Sequence, residues 1–201
     1  MRQYQKGFSL IELVIVIVIL GLLAATAIPH YLNVTEEAED ASVDGVSGGL
    51  ATAVSFVRSQ WEVDGRNNPS VVLDGTTIAL DTRFGFPTGV SNTSATSMTN
   101  PICKEVFDNV LQNAPRNVLS TGQDARGMRY TVNVENGAGG EVIGLDGSRE
   151  SNVDLCVYYL VVSLTLNDNG RPTPAPTRDP NTGYKFITYN PGNGQVQSFI
   201  N

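Results

Sequence analysis

A lone carboxylate interrupts an otherwise apolar stretch near the N-terminus: Glu12 stands between Ile11 and Leu13 in a run that covers residues 8–28. An unpaired carboxylate in hydrocarbon costs about 2.5 to 3.5 kcal/mol on insertion scales, so a group in this position is expected to be functional and to find a cation. A free amine on a neighbouring copy would serve, and a cut just before Phe8 would create one. The remaining chemistry-bearing residues are sparse. Cys103 and Cys156 stand 53 positions apart and far from the one histidine, His30, which leaves a zinc site short of ligands. A disulfide is the better reading in an oxidising compartment, where closing that loop would stabilise the fold by roughly 4 kcal/mol; two buried free thiols are the alternative. His30 directly follows Pro29 with no Cys or carboxylate constellation around it, and reads as an interfacial or solvated side chain. No serine sits in a nucleophile elbow and no glycine-rich phosphate loop follows a strand, so neither enzymatic activity nor a cofactor is expected. Asp179 and Asn181 could turn oxygens toward a calcium ion, but the spacing lacks the carboxylates of a full calcium loop and a plain turn is the simpler reading.

The element that must carry Glu12 is a helix. At a rise of about 1.5 Å per residue the apolar run can cross a bilayer core of about 30 Å. Arg2 and Lys6 precede it, whereas Glu36, Glu37, Glu39, Asp40 and Asp44 come after it, an asymmetry that holds the N-terminus on the cytoplasmic side and places the residues beyond Pro29 outside. The chain of 201 residues is 41% apolar with a formal charge of −7, enough for one sizeable core. It lacks the Lys/Arg clustering in sequence that neutralises phosphates, so direct nucleic acid binding is not expected.

The string 6–13, Lys-Gly-Phe-Ser-Leu-Ile-Glu-Leu, resembles the processing site of type IV prepilins and the related pseudopilins. In that family a short basic leader ends in Gly, the next residue is usually Phe, and Glu is the fifth residue of the mature chain. Gly7, Phe8 and Glu12 match position by position, and Gly21, Pro29 and Tyr31 stand where the family commonly has a helix-loosening Gly, a kinking Pro and a Tyr. The resemblance implies cleavage between Gly7 and Phe8 and N-methylation of Phe8 by a prepilin peptidase. It also implies retention in the inner membrane, then extraction by an assembly platform and motor into an extracellular homopolymer, in which Glu12 of one copy pairs with the Phe8 amine of another. Gly21 and Pro29 bracket a stretch expected to melt locally during assembly. Residues 44–53 and 58–61 further resemble subunits of the mannose-sensitive haemagglutinin pilus, which implies surface attachment and biofilm formation. Two other readings stay open here: a pseudopilin of type II secretion, and a soluble secreted protein, since Ala25-Thr26-Ala27 also reads as a signal peptidase site.

Beyond Pro29, Val46, Leu50, Ala53, Val54, Val57 and Trp61 recur at helical spacing, giving an amphipathic helix whose opposite side, including Arg58 and Glu62, should be solvated. Gly45, Gly48 and Gly49 predict a bend or break. Residues 64–125 read mainly as loop, with short strand candidates at 71–73 and 77–80 and a helix near 103–112. Strands are expected at 129–134, 155–166, 185–189 and 195–200, the last two joined by the hairpin signal Asn190-Pro-Gly-Asn-Gly194. The predicted architecture is an α+β type IV pilin fold, with a long N-terminal helix packed on a C-terminal antiparallel β-sheet. Its expected divisions are a removed leader (1–7), a transmembrane or filament-core helix (8–29), an amphipathic half (30–63) and a head (64–201).

Overall fold

The computed structural model describes residues 7–200, so Arg2, Lys6 and most of the expected leader lie outside the described residues. Internal contacts divide the chain into two units, Met1–Ala41 and Ser42–Asn201. The longest element, α1, runs over Leu10–Val63 for 54 residues and contains Pro29. It is unbroken through Gly45, Gly48 and Gly49, where the sequence predicts a bend or break. The reason is burial: Val43, Ser47, Leu50, Val54, Val57 and Trp61 form a continuous buried stripe on either side of these glycines. Fully burying a Val or Leu side chain contributes about 1.5–3 kcal/mol, which outweighs the roughly 1 kcal/mol that each glycine costs a helix.

Two sheets come after the helix. A three-stranded antiparallel sheet is formed by β1 (Ser70–Leu73), β2 (Thr76–Asp81) and β3 (Phe86–Gly89), so the region expected to be mainly loop holds a complete small sheet. The helix α2 (Asn100–Val110) comes next, capped by Thr99, whose hydroxyl accepts from the Ile102 amide, and with Pro101 in its first turn. The larger sheet has the order β4-β5-β6-β7-β8, made of β4 (Asn117–Leu119), β5 (Tyr130–Ile143), β6 (Arg149–Leu160), β7 (Phe186–Tyr189) and β8 (Val196–Phe199). It is antiparallel except for β4, which runs parallel to β5 with Asn117 opposite Tyr130.

Side chains of β6 alternate between two cores. Cys156, Tyr158 and Leu160 join Leu50, Val54, Val57 and Trp61 of α1 and Val106 and Phe107 of α2. Leu155, Val157 and Tyr159 face the other way and pack with Phe186, Tyr184 and Leu164. With both faces covered, β6 reads as a nearly continuous apolar run, and this is why its end is hard to place from sequence. It stops at Leu160, earlier than the expected 166, because Val161 turns into a short 3-10 segment and packs with Val118 and Ala125. The β7–β8 hairpin closes through Asn190 N–H to Gln195 O and Gly194 N–H to Asn190 O, both at 2.9 Å. Gly194 is required there: its φ is +72°, and a Cβ would lie 2.2 Å from the Phe86 ring.

Candidate functional site

At the start of α1, Ser9 and Glu12 form a reciprocal cap. Glu12 Oε2 accepts from both the Ser9 amide and the Ser9 hydroxyl at 2.8 Å, and the Glu12 amide donates to Ser9 Oγ at 3.3 Å. This is a capping box in which each residue satisfies a backbone donor of the other, and it fixes where the helix begins. Ser9 was not among the residues singled out from sequence, although the Ser-x-x-Glu spacing ahead of an apolar run carries the signal. Gly7 and Phe8 are exposed, with Phe8 at 84% of its full accessible area.

Downstream of the cap, α1 offers a surface that water does not favour. The stretch is long and apolar enough to cross a membrane, at a mean hydropathy of 2.8 with 0% of it buried. Such an area needs either lipid or other helices to cover it. Gly21 and Pro29 both sit inside this helix, and residues 22–28 are helical in the single chain.

The second constellation is the disulfide. Cys103 on α2 and Cys156 on β6 are bonded, with Cα atoms 5.4 Å apart, and both residues are fully buried. Tyr158 reinforces the link: its hydroxyl donates to the Cys103 carbonyl at 2.9 Å, and its ring stacks on Phe107 with centroids 4.4 Å apart. Burial pushes the Tyr158 and Tyr189 hydroxyls well above their ordinary range and raises Tyr130 to about 12.

Two buried carboxylates missed by sequence reasoning pin the 90–99 loop. Asp81 accepts from the Ala95 amide at 2.8 Å and from Arg83, while Asp154 accepts from the Met98 and Gly137 amides at 2.8 Å each. Their signal was an acid at the end of β2 and another between Val153 and Leu155, sites that fold only if the charge is fully hydrogen-bonded.

Arg58 is corrected by the structure. It is not a solvated residue of the outer helix face: its guanidinium lies over the Trp61 and Phe86 rings, 5.3 and 5.0 Å from their centroids, and donates to the Phe84 carbonyl. A long side chain with an apolar stem and a planar cation fits such a slot better than water. Glu62 goes with it: burial works to raise this carboxyl, but hydrogen bonds from Arg58 and Arg66 outweigh it and hold it below the usual range. Asp179 is engaged locally, accepting from the amide and side-chain amide of Asn181 at 2.9 and 2.8 Å and capping the 3-10 turn Pro180–Thr182. Among the described residues no group of three or more His, Cys, Asp or Glu side chains is gathered as a metal site would need.

An apolar helix opened by a Ser–Glu cap, and an α+β head closed by a disulfide, fit the class of membrane-anchored subunits. Comparison with known proteins narrows it. Residues 2–28 match the family model for the prokaryotic N-terminal methylation motif. The chain is 31% identical over 128 residues to the type IV narrow pilus major component PilA5 of Thermus thermophilus, covering 64% of this chain and 97% of that protein. It is 38% identical over 80 residues to the type IV major fimbrial protein FimA of Dichelobacter nodosus, covering 40% of this chain and 49% of that one. It is also 46% identical over 67 residues to the fimbrial protein EcpC of Eikenella corrodens, covering 32% and 44%. The chain thus spans nearly all of the first of these relatives and about half of the other two. No solved structure matches it. The chain belongs to the type IV pilin family, and it is a structural pilus subunit.

Proposed function

We propose that the chain is made as a precursor, cut between Gly7 and Phe8 and methylated on Phe8 by a prepilin peptidase, and polymerised through α1 into an extracellular pilus. Arg2 and Lys6 hold the leader in the cytoplasm, residues 8–29 span the inner membrane before assembly, 30–63 form the amphipathic half of the helix, and 64–201 form a periplasmic head. An assembly platform and motor then extract the subunit. The observation that carries this reading is Glu12, a carboxylate at the head of an apolar helix, four residues after the exposed Phe8 and inside a matched methylation motif.

Glu12 acts twice in this account. In the single chain it caps its own helix through Ser9. In the polymer its remaining acceptor capacity meets the methylated amine of a neighbouring Phe8, an ion pair that is strong in hydrocarbon and sets the axial register of one subunit on the next. Local melting of residues 22–28, between Gly21 and Pro29, lets the subunit lengthen during assembly, because Pro29 supplies no amide to the helical ladder there.

Attachment to surfaces and biofilm initiation are the task we assign to the filament, as in the mannose-sensitive haemagglutinin pili that residues 44–53 and 58–61 resemble. Filaments sheared from cells expressing the full chain test the reading. This polypeptide should dominate their mass, and its deletion should abolish both the filaments and attachment. Filaments of unchanged yield after the deletion would end the proposal.

A further inference from the structure

Charge is segregated along this chain. Residues 8–57 contain no Lys or Arg, while Glu36, Glu37, Glu39, Asp40 and Asp44 gather on one stretch of α1. Glu36 and Glu37 are exposed, and neither side chain enters a hydrogen bond or ion pair with the described residues. Their own helix offers no counterion until Arg58, which is committed to Glu62.

The opposite charge gathers at one end of the larger sheet. Asn117, Tyr130 and Leu160 lie side by side on β4, β5 and β6, so Arg116 and Arg129, each one residue earlier, emerge together. The Arg129 amide donates to the Arg116 carbonyl at 2.8 Å. The loop after β6 folds over the same end, with the Ala125 amide donating to the Gly170 carbonyl at 2.8 Å, and this brings in Arg126 and Arg171. All four arginines are exposed. Asp124 is already taken by Arg126, whose Nη2 lies 2.6 Å from Asp124 Oδ2, and Asp168 is the other carboxylate within residues 116–129 and 166–172. Within those two segments four guanidiniums stand against two carboxylates, a local cationic excess on a chain with a formal charge of −7. Arg129 donates to Ser42 Oγ at 3.0 Å, but the side chains of Arg116 and Arg171 enter no hydrogen bond or ion pair with the described residues.

An open helical polymer of one chain needs two different, complementary surfaces on every copy, because a heterologous contact that does not close runs on indefinitely. Opposite charges placed on those surfaces select the partner and fix its register. We propose that the arginine face formed by Arg116, Arg126, Arg129 and Arg171 docks on Glu36 and Glu37 of a second copy of this chain. The proposal rests on the filament reading and adds to it a contact made by the head, separate from that of Glu12.

The test uses the full chain in cells. Reversing one side in Arg116→Glu with Arg171→Glu, or the other in Glu36→Lys with Glu37→Lys, should cut the yield of sheared filaments about tenfold or more. In each case the subunit should remain processed at its N-terminus and oxidised at Cys103 and Cys156, which reports that it is made and folded. Combining both reversals should restore assembly to within about threefold of wild type, a rescue that only a direct charge contact predicts. The neutral pair Arg116→Gln with Arg171→Gln serves as a milder variant, expected to lower yield about threefold and to remove the salt sensitivity of filament assembly. Wild-type yield from either reversal overturns the proposal, and so does a loss that the combination fails to rescue. Normal filaments from the arginine reversal that no longer bind an anionic polysaccharide would reassign the face to surface attachment and refute the contact between copies. Absence of filaments from the wild-type chain would instead remove the filament reading itself, and this proposal with it.

Discussion

Replacing both Cys103 and Cys156 with alanine should lower the melting temperature of the head by about 8–16 °C. The bond closes a loop with a sequence separation of 53 and ties α2 to the middle of the larger sheet. The chain-entropy expression gives about 14 cal/mol/K for such a loop, or about 4 kcal/mol at room temperature. For domains of this size each kcal/mol shifts the midpoint by about 2–4 °C, which yields the range stated. Both sulfurs are fully buried, so alanine also leaves small voids, and their cost adds to the fall rather than offsetting it. Trp61 provides the assay. It is the single tryptophan of the chain and only 1% exposed, with its indole N–H donating to the Asn68 carbonyl at 2.7 Å. Its fluorescence in detergent-solubilised protein therefore reports unfolding of the head and not of the apolar helix. A fall of less than about 2 °C would refute the reasoning, because it would mean that Tyr158 and Phe107 hold α2 on the sheet without the covalent bond.

The two roles given to Glu12 separate by substitution. Glu12→Gln keeps an acceptor for the Ser9 amide but removes the charge, Ser9→Ala removes the hydroxyl of the cap at a cost of about 1 kcal/mol to the helix start but keeps the charge, and Glu12→Val removes both. Filament yield should collapse in Glu12→Gln and Glu12→Val and survive in Ser9→Ala, with membrane insertion intact in all; collapse in Ser9→Ala alone would make capping, not pairing, the role that matters. Gly85→Ala should destabilise the head by about 2–4 kcal/mol, since strain at positive φ adds to overpacking. Gly85 has a φ of +79°, and a Cβ there would sit 2.4 Å from the Trp61 ring, so an unchanged melting curve would contradict the structure. Finally, the head should hold its stability up to about pH 10 and lose it between about pH 10 and 12. Burial raises the folded-state pKa of Tyr130 to about 12 and holds those of Tyr158 and Tyr189 well above their ordinary value, so the unfolded chain releases these protons first and rising pH favours it. Phenolate absorbance that develops fully near pH 10 while Trp61 still reports a folded head would contradict this.

How much of this could be read from residues depended on whether the deciding force was local. The apolar helix, the helix around Cys103 and the β7–β8 hairpin announce themselves through composition, periodicity and turn residues, and all are present. The unbroken course of α1 through Gly45, Gly48 and Gly49 is decided by burial against distant strands, which local propensity does not register. The extension of β5 to Ile143 is similar: its register shifts between Glu135 and Gly140 and again before Val142, so alternation fades while pairing with β6 continues. The parallel strand β4 has only three residues and owes its place to β5. At the site, the carboxylate of Glu12 stood out because it is costly in its surroundings, whereas Ser9 is an ordinary residue until the helix start is known. Asp81, Asp154 and Arg58 gained their roles from loops and rings brought close only by the fold.

Assembly through Glu12 depends on where the mature chain begins and what its first amine carries. Intact-mass and fragment-ion spectra of the subunit recovered from cells answer this directly: the predicted chain starts at Phe8 with one methyl group on its nitrogen. A chain starting at Ile28, after a conventional signal cut, would leave Glu12 on a discarded peptide and contradict the assembly mechanism.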